Sequence, residues 1–210
     1  LYISVIGKGG HAAMPNECIN PLIIASEIIL EINKLFMQPN SLKGTPGENI
    51  PTVVVFGKID GKGATNVIPS VIEIAGTIRT MDESWRESIH QQIKLLVKNV
   101  SLSFGIESIV RIEKGYPFLV NDITFTNNCF EAAINYLGEN QVEVLPLRMT
   151  AEDFAFISQK VPSCFFRLGT GNISKGIISG VHTSNFDIDE KSLEIGIGLM
   201  AWLALNELNS

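Results

Sequence analysis

The sequence predicts a mixed α/β chain, in which a ferredoxin-like β-α-β-β-α-β unit is followed by part of a second α/β domain. Three observations predict it. Short β-branched runs at 1–6, 52–59, 70–80 and 106–112 alternate with two longer runs that carry apolar residues at helical spacing. Gly115-Tyr116-Pro117 then interrupts the pattern. Beyond it come three helical runs but only two strand-like ones, too few strands to build an α/β sheet of their own. Two domains are therefore expected, 1–117 and 118–210, the second being a portion of a larger fold.

Taken in order, Leu1-Tyr2-Ile3-Ser4-Val5-Ile6 alternates as a strand does. Asn20-Pro21 supplies a cap and a proline at the first helical position, and 22–36 is apolar enough for a buried helix. Pro, Gly, Asn and Ser fill the loop 38–51, and 52–59 is a β-branched strand ended by the turn Asp60-Gly61-Lys62-Gly63. Along 70–80, Ile72, Ile74, Gly76 and Ile78 occupy one face and Glu73, Thr77 and Arg79 the other. Asp82 caps a helix whose Ile89, Ile93, Leu96, Val97 and Val100 form a single stripe, and 106–112 is the fourth strand. In the second part a helix is expected over 122–137 and a strand over 142–147. A helix then starts at Thr150, whose hydroxyl stands in capping-box spacing to Asp153. A strand over 163–168, a tight loop at Gly169-Thr170-Gly171 and a final helix capped by Asp189 complete the chain.

Composition narrows the function. The 210 residues carry 16 Lys+Arg against 22 Asp+Glu, a net charge of −6, with no basic run to grip nucleic acid or an anionic membrane. Hydrophobic residues at 45% and charged residues at 18% describe a folded chain. The longest apolar stretch, 195–205, contains Gly196 and Gly198 and falls far short of the ~20 residues that span a bilayer. Cys18, Cys129 and Cys164 are odd in number and show no CxxC spacing, so neither a disulfide framework nor a zinc knuckle is expected, and a cytoplasmic setting is. The chain begins inside a strand pattern, without Met or a charged leader, and is expected to be a fragment.

Few residues offer chemistry. His90, mid-helix on the side away from Ile89 and Ile93, reads as a solvated surface residue. His11 follows Gly7-Lys8-Gly9-Gly10 and precedes Ala12-Ala13, which leaves its imidazole uncrowded; it is either a loop histidine or a reactive one. His182 lies in a polar loop before the last helix, with Asp187 and Asp189 near enough to orient a metal-bound imidazole; a helix-capping loop is the ordinary alternative. Asn66 suits a turn after Gly63. Arg79 projects from a lightly charged strand face, where it is either a solvated edge charge or a carboxylate fork. Glu152 and Asp153 sit in a helix's first turn, where the macrodipole favours them in any case.

Taken together these residues carry a signature. Gly7-Lys8-Gly9-Gly10-His11-Ala12-Ala13-Met14-Pro15, Gly63-Ala64-Thr65-Asn66-Val67-Ile68-Pro69, Gly76-Thr77-Ile78-Arg79-Thr80, Thr150-Ala151-Glu152-Asp153-Phe154 and His182-Thr183-Ser184-Asn185-Phe186-Asp187 follow in this order. The chain resembles the metal-dependent amidohydrolases that include aminoacylase, hippurate hydrolase and the plant indole-acetyl-amino-acid hydrolases. The likeness covers the C-terminal part of such an enzyme, a dimerisation or lid domain and then the last portion of a zinc-peptidase-like α/β catalytic domain. It implies a site of two divalent metals, zinc or manganese, a homodimer built through the lid, and a small N-acyl-amino acid as substrate. His182 would be the last metal ligand. His11 would be the lid histidine that reaches the partner subunit's site and donates to the oxyanion. Asn66 and Arg79 would hold the substrate's carboxylate, and Glu152 would support the metal or the pocket from behind. The remaining ligands and the general-base Glu would lie in an upstream portion, so the fragment alone is expected to be inactive with weak metal binding at most. Asn16 and Asn20 stand where hippurate-hydrolase-type relatives often carry His and Asp. A dipeptidase or desuccinylase of the same superfamily, or a ferredoxin-like dimerisation module without chemistry, are the alternative readings.

Overall fold

The structure, a computed structural model, describes residues 1–209. It divides into two units, Leu1–Phe118 with Met149–Ala151, and Leu119–Arg148 with Glu152–Ser210. Strands β1 (Tyr2–Ile6), β3 (Thr52–Asp60), β5 (Val71–Thr80) and β6 (Ser108–Arg111) of the first unit form one sheet in the order β3-β5-β1-β6, with every neighbouring pair antiparallel. Helices α1 (Pro21–Phe36) and α2 (Glu83–Ser103) are the two crossovers, which gives the β-α-β-β-α-β topology. A small ladder of β2 (Gly10–His11) and β4 (Val67–Ile68) is added to it.

The caps are local. Asn20 Oδ1 accepts the Leu22 N–H at 3.0 Å, with Pro21 at the first helical position, and Asp82 Oδ1 accepts the Trp85 N–H at 2.7 Å. The core follows from periodicity. Ile3 and Val5 of β1, Ile72 and Ile74 of β5, Ile24, Ile28 and Ile32 of α1, and Ile89, Ile93 and Val97 of α2 are all buried in one cluster. Each such side chain contributes about 1.5–3 kcal/mol relative to exposure. Strand alternation and helical stripes therefore meet on one side of the sheet.

His90 corrects the sequence reading. It is 7% exposed and not a solvated surface residue. Its pKa is lowered, foremost by burial, against the opposing pull of Glu87, with Arg86, Lys94 and Lys114 adding to the lowering. The hydrophilic Gln91 and Gln92 beside it concealed a ring that the fold covers.

The second unit contains α3 (Ile123–Leu137), the short α4 (Ala155–Ser158) and α5 (Lys191–Leu208). Asp122 caps α3, accepting the Phe125 N–H at 2.8 Å. The strands expected over 142–147 and 163–168 do not form among the described residues. The segment 142–147 has none of the described strands beside it, Pro146 removes a backbone donor, and Val144 is 83% exposed. The segment 163–168 lies against the Asn121-Asp122 stretch, which is not one of the described strands: Asp122 N–H donates to the Ser163 carbonyl at 2.9 Å. Nor does a helix start at Thr150; α4 begins at Ala155. Asp189 stands one residue before the cap position of α5, taken by Glu190, but still accepts the Lys191 N–H at 3.3 Å. No helix among the described residues is long and apolar enough to cross a membrane.

Candidate functional site

The β2–β4 ladder places His11. Gly10 pairs with Ile68 and His11 with Val67, and the next residue, Ala12, donates its N–H to the Asn66 carbonyl at 3.0 Å. Ala64 and Val67 exchange both backbone bonds at 3.1 Å, which makes Asn66 part of a closed turn. Two motifs more than fifty positions apart in sequence thus end side by side, with both His11 and Asn66 exposed. The close approach needs a residue without a side chain at position 9, where a Cβ would stand 2.6 Å from the Ile68 carbonyl oxygen.

The ring of His11 is oriented by its own turn. Ala13 N–H donates to Nδ1 at 3.1 Å. In the neutral ring that bond assigns the proton to Nε2, so the outer edge of the imidazole is a hydrogen-bond donor.

Arg79 lies on β5, an interior strand paired with β3 on one side and β1 on the other, so it is no edge-strand charge. It is half-buried, and Nη1 donates to the Met149 carbonyl at 3.0 Å. That contact ties the 149–151 segment to the first unit, and no local pattern around Met149 announces it.

His182 has φ +64°, a left-handed conformation that costs a non-glycine residue about 1–2 kcal/mol. The turn holding it is closed by Thr183 Oγ1 donating to the Gly180 carbonyl at 2.8 Å and by Phe186 N–H to the Thr183 carbonyl at 3.2 Å. The imidazole stays exposed. Asp189 does not orient it. Buried at the base of the loop, that carboxylate accepts from Lys175 Nζ at 2.6 Å and from the Asn172 amide, and its N–H donates to the Thr170 carbonyl at 2.8 Å. Its pKa is lowered to about 2, by Lys175 first and Asn172 next. Asp187 caps its own neighbour, accepting the Ile188 N–H at 2.8 Å. Lys175 and Asn172 therefore anchor the His182 loop, through contacts made 14 and 17 positions apart.

Glu152 is half-buried ahead of α4, and its side chain faces the Phe154 N–H at 3.5 Å. No group of three or more His, Cys, Asp and Glu side chains that could hold a metal ion occurs among the described residues. An exposed imidazole on a constrained turn is a suitable single donor.

Residues 29–206 match the family described as Peptidase family M20/M25/M40. An IAA-amino acid hydrolase of Arabidopsis thaliana is 32% identical over 210 residues, 98% of this chain and 47% of its own. Thermostable carboxypeptidase 2 of Saccharolobus solfataricus is 32% identical over 212 residues, 99% of this chain and 51% of its own. Among solved structures, a Bacillus subtilis protein described as a dinuclear metal binding peptidase superposes with a TM-score of 0.73 at 25% identity, over 100% of this chain and 50% of that one. The chain thus spans about half the length of the curated relatives it matches.

Proposed function

The chain belongs to the M20/M25/M40 peptidase family, and from that premise we propose that it supplies the lid and the last metal ligand of a metal-dependent amidohydrolase acting on N-acyl-amino acids. Residues 1–117 are the dimerisation and lid domain, and 118–210 are part of the catalytic domain. The apolar side chains that the second unit leaves exposed, Val144, Ile173 and Ile197 among them, support reading it as one portion of a larger core. One observation carries the proposal: His11 and Asn66 meet at the end of one ladder, and His11 presents a donor edge.

A pair of divalent ions, zinc or manganese, would supply Lewis acidity toward the amide carbonyl and its attacking water. His182 would hold one of them through a ring nitrogen. His11 donates Nε2–H to the carbonyl oxygen as negative charge gathers on it, and needs no reorganisation because Ala13 has already set the ring. Asn66 and Arg79 bind the free carboxylate of the amino acid; anchoring the guanidinium on the Met149 carbonyl fixes the plane in which its other donors lie. Glu152 would support the metal or the substrate pocket from behind. The enzyme is a cytoplasmic homodimer formed through an open edge of the first unit's sheet, β3 and β6 being its two edges, so that His11 serves the partner's site.

The test uses the complete enzyme. His11→Ala should lower turnover by about 100- to 1000-fold, the scale of one lost oxyanion donor, with metal content unchanged. Heterodimers of His11→Ala and His182→Ala subunits should regain up to half the activity per dimer, since both lesions fall in one composite site. Absence of recovery in verified heterodimers removes the cross-subunit role. A panel of N-acyl-amino acids, dipeptides and N-succinyl substrates separates the amidohydrolase reading from a dipeptidase or a desuccinylase.

A further inference from the structure

The loop that carries His182 runs over 178–188, between Ile177 and Asp189, and Asn172 holds both of these residues. Asn172 and Ile177 exchange two backbone bonds, Asn172 N–H to the Ile177 carbonyl at 2.8 Å and Ile177 N–H to the Asn172 carbonyl at 2.9 Å. The side-chain amide of Asn172 donates from Nδ2 to Asp189 Oδ2. Its Oδ1 accepts from Ser174 Oγ at 2.7 Å and from the Lys175 N–H at 3.3 Å, which closes the turn 172–177. Gly176, at φ +74°, completes that turn. The turn also brings Lys175 Nζ to Asp189 Oδ1 at 2.6 Å. Both carboxylate oxygens of the buried Asp189 are thus held from one turn, while its N–H donates to the Thr170 carbonyl at 2.8 Å.

Within 178–188 the hydrogen bonds among the described residues are local. Thr183 donates to Gly180, Phe186 to Thr183, Ser184 to Asn185 and Ile188 to Asp187. The hydrogen bonds that tie the loop to the rest of its unit therefore lie at its two ends. A loop whose ends are pinned together samples fewer conformations than one pinned at a single end. His182 depends on that restriction, because a non-glycine residue keeps a φ of +64° only where its surroundings impose it.

We propose that Asn172 is a positioning residue for His182: it clasps Ile177 to Asp189, closes the base of the loop and so holds the imidazole where the metal site needs it. The proposal rests on the reading of His182 as the last metal ligand. Lys175 assists by gripping the other oxygen of Asp189, with a smaller effect because its own side chain is exposed. Both residues act through the loop.

The test measures the affinity of the metal-free complete enzyme for zinc, by competition with a chromophoric chelator, together with hydrogen exchange of the loop. Asn172→Asp is the informative variant. It keeps the acceptor used by Ser174 and Lys175 but sets one carboxylate against another, so what it removes is the grip on Asp189. Zinc binding should weaken by about 10-fold. Exchange over 177–189 should speed up by about 10-fold, with α3 as protected as in the parent. The direction separates position from charge, since an added anion, or loss of the Lys175 cation, would by itself favour zinc. Lys175→Met should shift both readouts in the same direction by a smaller factor, and it decides the question if Asn172→Asp fails to fold. In a His182→Ala background, Asn172→Asp should have no further effect on zinc affinity, because it acts through that imidazole. An equal loss in that background would overturn the proposal, as would an unchanged affinity in both clasp variants while His182→Ala weakens binding. If His182→Ala binds zinc as the parent does, the ligand reading itself fails, and the proposal with it.

Discussion

Substituting Gly9 by alanine tests the ladder on which His11 depends. A Cβ at this position would lie 2.6 Å from the Ile68 carbonyl oxygen, 2.7 Å from Ser70 Oγ and 2.9 Å from the Ser70 nitrogen. Two of these three atoms are backbone and cannot rotate aside, so β4 and the residues after it must move. The bonds on either side of the clash are Gly7 N–H to the Ser70 carbonyl at 2.8 Å and Ala12 N–H to the Asn66 carbonyl at 3.0 Å. Losing both at about 1 kcal/mol each, with about 1 kcal/mol of residual strain, gives a loss of about 3 kcal/mol. At about 2–4 °C per kcal/mol for a chain of this size, the midpoint of the first unit falls by about 6–12 °C. The assay is thermal unfolding followed by the fluorescence of buried Trp85, in a Trp202→Phe background so that a single indole reports. Gly115→Ala is the control: nothing stands within 4 Å of its Cβ, so its effect should stay within about 0.5 kcal/mol. A Gly9→Ala chain that melts within a degree or two of the parent would refute the close approach, and with it the geometric link between His11 and Asn66.

Three further outcomes are expected. His90 is held neutral in the folded chain, its pKa lowered by burial, so its protonation favours the unfolded chain: stability should be complete above pH ~6.5 and fall as the pH drops below that value. Urea titrations of His90→Gln should show a flatter pH dependence there, and an unchanged slope would count against the assignment. Asn20→Ala should cost about 1 kcal/mol in the same titrations, because Leu22 N–H loses its partner; a neutral effect would mean that the cap contributes nothing. In the complete enzyme, Arg79→Met should raise KM by about 10- to 100-fold with a smaller change in kcat, as befits a group that binds substrate and transition state alike. A loss confined to kcat would contradict that role.

Much of the first unit was legible in the sequence because its determinants are close in the chain. Asn20 and Asp82 each cap a helix of that unit with an atom two or three residues away, and Asp122 does the same for α3 in the second unit. The apolar stripe of α2 needs only its own spacing, and alternation along β1 and β5 identifies their core face before any partner strand is known. The five motifs named His11, Asn66, Arg79, Glu152 and His182 by resemblance, which assigns roles without stating what touches what.

What the tertiary structure alone decided are pairings across long stretches of chain. His90 became buried through what packs over it, while its polar neighbours Gln91 and Gln92 suggested exposure. Segments 142–147 and 163–168 have strand-like composition, but an extended segment becomes a strand only when another backbone satisfies its N–H and C=O groups, and none of the described strands lies beside them. Asp189, read as a helix cap with reach toward His182, was claimed by Lys175 and Asn172. Asn121 clasps the backbone of Phe165 across 44 positions, a contact that the residues around neither one announce. Caps and periodicity are set by residues within about one or two helical turns, so composition and spacing determine them. Contacts between residues tens of positions apart depend on where the topology returns the chain, and no local pattern encodes that.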